Sequence, residues 1–267
     1  MDIDDLAALR LQLEWGVDDA LLDTPTDRFA PLSPRAEPAL RNQPLAPRPL
    51  RAPLATGPAL ATQAAAASPD LAALHAALDA FTTCPLRTTA TTTVAPSGNP
   101  AAGLVLIGEA PGPDDDRAGR TFSGPAGDRI DRILRTAALG RDDLLLALMV
   151  PWRPPGGRPV NEAELALCLP FLHRLLALLN PRRLVLMGAG PYRALTGDEA
   201  GFRKARGKWT PVTIPGLDTP IPALPTLAPD IWLGSPTNKQ TIWTDLLTLR
   251  TALDAPVAPP APRHGRA

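Results

Sequence analysis

Four short apolar runs separated by helical patterns constrain this chain more than anything else in it. The runs are residues 104–107, 144–150, 184–187 and 221–227. None alternates polar with apolar, so each reads as a strand buried on both faces. Between and around them the spacing predicts helices over residues 71–81, 126–138, 161–179, 191–195 and 235–253. Asn161 with Glu164 forms a capping box at the start of one helix. Ser235 followed by Pro236 is an N-cap with proline in the first turn of another. Apolar strands alternating with helices predict a three-layer α/β/α sandwich around a mainly parallel four-stranded sheet. Ligands of such sheets bind outside the carboxyl ends of the strands. Glu109, Trp152, Gly188 and Ala228 all fall there.

The rest of the chain reads differently. Residues 1–24 predict an amphipathic helix, with Leu6, Leu9, Leu13 and Val17 on one stripe. Residues 25–69 hold ten prolines among many alanines, a composition that cannot bury enough surface to offset chain entropy, and predict a disordered linker. The tail, 255–267, is of the same kind, so the folded domain is expected over 70–254. Lys plus Arg and Asp plus Glu both number 27, which excludes a globally basic nucleic-acid binder though not a local basic groove. No apolar run is long enough for a membrane span, the start lacks the order of a signal peptide, and two cysteines make no disulfide framework. A cytoplasmic monomer is expected, with the N-terminal helix a candidate protein-binding element.

The first strand ends in Gly108-Glu109-Ala110-Pro111-Gly112, followed by Asp115-Asp116 and then by Gly119, Phe122, Gly124 and Gly127. Further blocks are Arg153-Pro154-Pro155-Gly156, Cys168 with Pro170, Gly188, Pro225-Thr226, Lys239, and Trp243-x-Asp245-Leu246. In this order the blocks resemble family 4 of the uracil-DNA glycosylase superfamily over about residues 70–254. The N-terminal helix and proline-rich stretch are similar to those of its alphaproteobacterial members. The resemblance implies an enzyme that holds a flipped-out deaminated base in a tight pocket and hydrolyses its N-glycosidic bond. It implies base-binding backbone at Gly108, Ala110 and Gly112, and a stacking ring at Phe122. Glu109, Asp115 and Asp116 would be the catalytic carboxylates, organising the site and its water.

Three departures from the family limit what carries over. The family's four-iron cluster needs four cysteines, whose positions here are Phe81, Cys84, Trp152 and Cys168. Two thiolates do not hold such a cluster, so no iron–sulfur cofactor and no other metal is expected, with Phe81 and Trp152 filling its space. The asparagine that pairs with the base edge is replaced by Leu148, which neither donates nor accepts a hydrogen bond. The late-loop histidine that stabilises the leaving base is replaced by Ala228. Losing one such donor typically costs ~10²–10³ in rate.

DNA, single- or double-stranded, is the expected partner. Arg203, Lys204, Arg206 and Lys208 precede Trp209 without an intervening acid and are candidate DNA contacts, although an exposed turn explains them equally. Trp232, just past the late loop, is either a wedge into DNA or a packing residue. Two functions stay open. One is a base-excision glycosylase of weakened activity. The other is a non-catalytic DNA- or nucleobase-binding accessory protein on the same fold.

Overall fold

The computed structural model of the protein describes residues 56–255. The predicted N-terminal helix, residues 25–55 of the predicted linker and residues 256–267 of the tail lie outside them. Six strands form one sheet: β1 (Ser97–Gly98), β2 (Leu104–Gly108), β3 (Leu145–Leu148), β4 (Arg183–Met187), β5 (Thr210–Val212) and β6 (Ile221–Thr226). Their order is β1-β3-β2-β4-β6-β5. The inner four are parallel, with Val105 beside Leu145 and Leu184, and Leu184 beside Ala223. These are the four predicted strands. β1 and β5 pair antiparallel at the two edges, so the sheet is mixed and larger than the four strands expected. Both edges are too short to show a period, and β5 carries Pro211, which suits an edge that need not donate on both sides.

Successive side chains of a strand point to opposite faces, and here each face has its own core. Val105, Ile107, Leu145, Ala147, Leu184 and Leu186 belong to one cluster. Leu104, Leu106, Leu144, Leu146, Val185 and Met187 belong to the other. The first is covered by α1 (Gly57–Ala66), α2 (Leu71–Ala80), α6 (Glu162–Leu179) and α7 (Ala189–Thr196). The second is covered by α5 (Gly124–Thr136), through Ile130, Ile133 and Leu134, and by α9 (Pro236–Asp254), through Ile242, Leu246 and Leu249. The result is the three-layer arrangement expected. The remaining helices, α3 (Pro85–Thr89), α4 (Pro113–Ala118) and α8 (Phe202–Ala205), are single turns or little more.

Both predicted caps form. The Asn161 side chain accepts from Glu164 N–H at 2.8 Å while Glu164 accepts from Asn161 N–H at 3.1 Å. Ser235 Oγ accepts from Asn238 N–H at 3.1 Å.

The expected linker boundary at residue 69 needs correction. Residues 57–66 are helix α1, with proline in its first turn, and Ala61 and Ala65 are buried at 0% and 2% exposure. Behind α1, the Ser68 carbonyl accepts two hydrogen bonds from Arg174 of α6, at 2.8 and 2.6 Å. An alanine-rich stretch looks like linker because it has no large apolar residue. It folds because alanine is the best helix former and because small side chains allow close approach to α6.

Candidate functional site

Beyond the carboxyl ends of the parallel strands lies a cleft of about 450 Å³. Gly108, Glu109, Ala110, Gly112, Asp115 and Phe122 line one side of it, Arg153 and Pro154 another, and Met187 and Ala228 the floor and far wall. Residues expected from three separated stretches therefore meet in one place.

The wall carrying Phe122 is built with care for one ring. Phe122 has φ +52°, a left-handed conformation that costs a bulky residue roughly 1–3 kcal/mol. Several contacts hold it there. Asp115 accepts from Gly112 N–H at 2.9 Å and from Ser123 N–H at 2.6 Å. The Phe122 carbonyl accepts from Arg141 Nη2 at 2.7 Å. A Cβ on Gly127 would stand 2.0 Å from that carbonyl oxygen, so only glycine fits beneath it. The ring then reaches the end of β2, where a Cβ on Gly108 would stand 2.7 Å from Phe122 Cζ and 3.0 Å from Leu148 Cδ2.

The two aspartates have different jobs. Asp115 lines the cleft and fixes the loop; burial raises its pKa, opposed by the two N–H donors from Ser123 and Gly112. Asp116, expected beside it in catalysis, does not line the cleft. Its carboxylate accepts from Thr91 N–H and Oγ1–H, both at 2.9 Å, and from Thr92 N–H at 3.2 Å. Consecutive residues on a helix point in different directions, and Asp116 points into the segment before β1.

Glu109 is exposed in the cleft. A Cβ on Gly190 would stand 2.9 Å from Glu109 Cδ, so the carboxylate lies against the first turn of α7, where helix N–H groups favour negative charge. Ala228 faces Gly188: a Cβ there would be 3.2 Å from that of Ala228. Leu148 is buried behind Gly108 and Phe122 rather than lining the opening. His75 and His173 lie on α2 and α6, outside the cleft.

Trp232 is corrected outright as a wedge. It is 1% exposed, and its indole Nε1 donates to the Leu227 carbonyl at 2.7 Å. Its neighbours Ile231 and Leu233 are the exposed ones, at 42% and 43%. In the basic segment, Arg206 is paired with Asp245 at 3.2 Å, whereas Arg203, Lys204 and Lys208 are exposed. Gly207 N–H donates to the Pro225 carbonyl at 2.8 Å, which sets this segment at the same end of the sheet as the cleft. Arg153, known from the sequence only as part of the Arg-Pro-Pro-Gly block, and Arg129, on a helix whose mixed charges read as a self-paired solvated face, both line the cleft.

The four positions that would ligate an iron–sulfur cluster share one apolar core. Phe81 packs edge-on against Phe171, with ring centroids 5.2 Å apart. Trp152 is fully buried and its Nε1 donates to Thr93 Oγ1 at 3.1 Å. Cys84 and Cys168 are both buried. The neighbouring Cys84 thiol, together with burial, holds the Cys168 thiol well above its ordinary range. Two thiols, a phenyl ring and an indole do not supply four thiolates, and the residues present do not fit the cluster. Among the described residues, no group of three or more His, Cys, Asp or Glu side chains could hold a metal ion.

Against known proteins, the family model described as the uracil DNA glycosylase superfamily matches residues 95–247. That is more than half the chain, and the protein belongs to this superfamily. Within it, the chain is similar to the type-4 uracil-DNA glycosylase of Pyrobaculum aerophilum, 35% identical over 126 residues, which cover 47% of this chain and 64% of that relative. That of Thermotoga maritima is 34% identical over 127 residues, 47% of this chain and 66% of the relative. That of Saccharolobus solfataricus is 29% identical over 163 residues, 59% and 74% respectively. The match thus spans slightly less than two thirds of the first two relatives.

Proposed function

We propose that this protein acts in base-excision repair, holding a flipped-out deaminated base of DNA in the sheet-end cleft and hydrolysing its N-glycosidic bond slowly. The observation that carries this reading is the strained loop that sets Phe122 against Gly108 at the end of β2. An extruded base needs a flat apolar face to replace its stacking, worth ~1–3 kcal/mol. In the reaction, Glu109 takes a proton from a water whose oxygen attacks C1′ of the sugar. The C1′–N bond breaks, its electron pair leaves with the base, and the base is protonated on release. Asp115 acts by positioning the loop. Exposed Ile231 and Leu233, on the segment that carries Ala228, are suited to fill the gap the extruded base leaves.

Hydrolysis is slow in this reading because Leu148 cannot pair with a base edge and Ala228 cannot donate to the leaving base. No iron–sulfur cluster takes part in this reading, since two of its four positions, Phe81 and Trp152, hold apolar side chains. A second reading, DNA binding without cleavage, is favoured by the same two substitutions.

The test is excision from single- and double-stranded oligonucleotides carrying uracil, hypoxanthine or xanthine. Slow excision of one of them by the unmodified protein, with a gain of about two orders of magnitude in Leu148→Asn/Ala228→His, supports glycosylase function. Preferential binding of the deaminated oligonucleotide without cleavage supports the second reading. Absence of both would refute the proposal.

A further inference from the structure

We infer that Arg153 is the substrate-anchoring cation of the cleft, binding an anionic oxygen of the extruded nucleotide; the inference rests on the function proposed above. Its position is rigid. Trp152 before it is locked in the core through its bond to Thr93, and Pro154 after it is buried with φ −63°. Around it the backbone is tied down too: Met149 and Val150 donate to the carbonyls of Gly108 and Glu109, at 2.7 and 3.2 Å. The side chain thus projects from a fixed frame into the same cleft as Glu109 and Phe122.

Its chemistry is unfinished. Arg153 Nε is buried and has no hydrogen-bond partner within the protein. Among the described residues no carboxylate lies within ion-pair distance of it. Of the other arginines lining the cleft, Arg158 makes two bonds to Glu164, at 2.9 and 2.5 Å, and Arg129 is exposed, where water satisfies it. A guanidinium stays charged at any working pH and offers five donors. Leaving Nε buried and unpartnered weighs against the free protein, while the terminal nitrogens, which make no bond to the protein and are not buried, are the donors a substrate oxygen can reach. Two oxygens of the substrate have the required chemistry, a backbone phosphate beside the extruded nucleotide and the base carbonyl on which charge develops. Either would give a cleft that lacks the usual asparagine and histidine a donor of its own.

The experiment uses the full chain and two probes, free uracil and an oligonucleotide carrying a non-hydrolysable deoxyuridine analogue, with affinity measured across salt concentrations. Arg153→Met is expected to leave the melting temperature of the free protein unchanged or higher, because no internal partner is lost. Oligonucleotide affinity is expected to fall roughly ten- to hundredfold. With a phosphate as partner, the salt slope drops by about one, free uracil binding is unaffected, and Arg153→Lys recovers part of the affinity. With the base carbonyl as partner, free uracil binding falls too and the salt slope stays. Wild-type affinity for both probes in Arg153→Met would overturn the inference, whether or not the melting temperature drops. Failure of the unmodified protein to bind either probe would refute the proposed function itself, and this inference with it.

Discussion

Removing helix α1 tests whether the folded unit begins near residue 56 or near residue 70. A fragment of residues 70–255 loses two fully buried alanines, Ala61 and Ala65, and uncovers the face of α6 they protect. It also loses the Ser68 carbonyl that takes two hydrogen bonds from Arg174. A buried methyl group is worth ~0.8 kcal/mol, a comparable apolar area is exposed on α6, and a hydrogen bond from a charged donor contributes ~1.5–3 kcal/mol. The total is about 5–6 kcal/mol, a large part of the ~5–15 kcal/mol that stabilises an ordinary domain. For a domain of this size the melting temperature should fall by roughly 10–24 °C. The assay compares thermal melts of fragments 56–255 and 70–255, followed by circular dichroism, with that of the full chain. Fragment 56–255 should match the full chain. If 70–255 melts at the same temperature as 56–255, α1 contributes nothing and the boundary argued from its packing is wrong.

Other consequences are simpler to read. Purified protein should carry no stoichiometric iron and no visible iron–sulfur absorbance, and a chelator should leave its melting temperature unchanged; one cluster per chain after anaerobic purification would contradict the apolar filling at Phe81 and Trp152. The Arg158 guanidinium beside Glu164 holds that carboxyl below its usual range, so its contribution to stability is present above the unfolded value of about 4.3 and is lost as pH falls through the lower folded value. Glu164→Gln should therefore lower the melting temperature at pH 7, with the gap to wild type closing below about pH 4. A gap independent of pH would remove the ion pair from the explanation.

What the sequence revealed and what it hid divide along physical lines. The parallel core was legible because strands buried on both faces must be continuously apolar, and residues 104–107 and 184–187 are nothing else. Caps were legible because they depend on local chemistry: Asn161 with Glu164 and Ser235 with Pro236 need no distant partner. Edge strands β1 and β5 were hidden because two or three residues carry no period. Helix α1 was hidden because its burial uses alanine methyls. Trp232 stayed open between two readings and Asp116 was misplaced because type and position do not say where a side chain points. One indole turned inward to the Leu227 carbonyl, and one carboxylate turned to the Thr91–Thr92 segment. Arg153 was legible only as part of a family block, since its interest lies in the partners it lacks.

The strand and loop from Leu148 to Pro154 join these departures into one. This short segment carries the leucine at the base-edge position, the tryptophan at a cluster-ligand position and the unpartnered arginine of the cleft. In a chain that relied on metal–thiolate bonds to hold this loop, replacing a ligand would release it. Here packing and backbone bonds hold it instead. Trp152 is buried and bonded to Thr93, Val94 N–H donates to the Pro151 carbonyl at 2.8 Å, and Met149 and Val150 are bonded to Gly108 and Glu109. The last pair matters most, because it links the loop directly to Gly108 and Glu109, which line the cleft. The protein's own hydrogen bonds therefore tie the loop to the cleft walls. On that frame the cleft presents the Ala228 methyl beside the Arg153 side chain, with Leu148 buried behind Gly108 and Phe122.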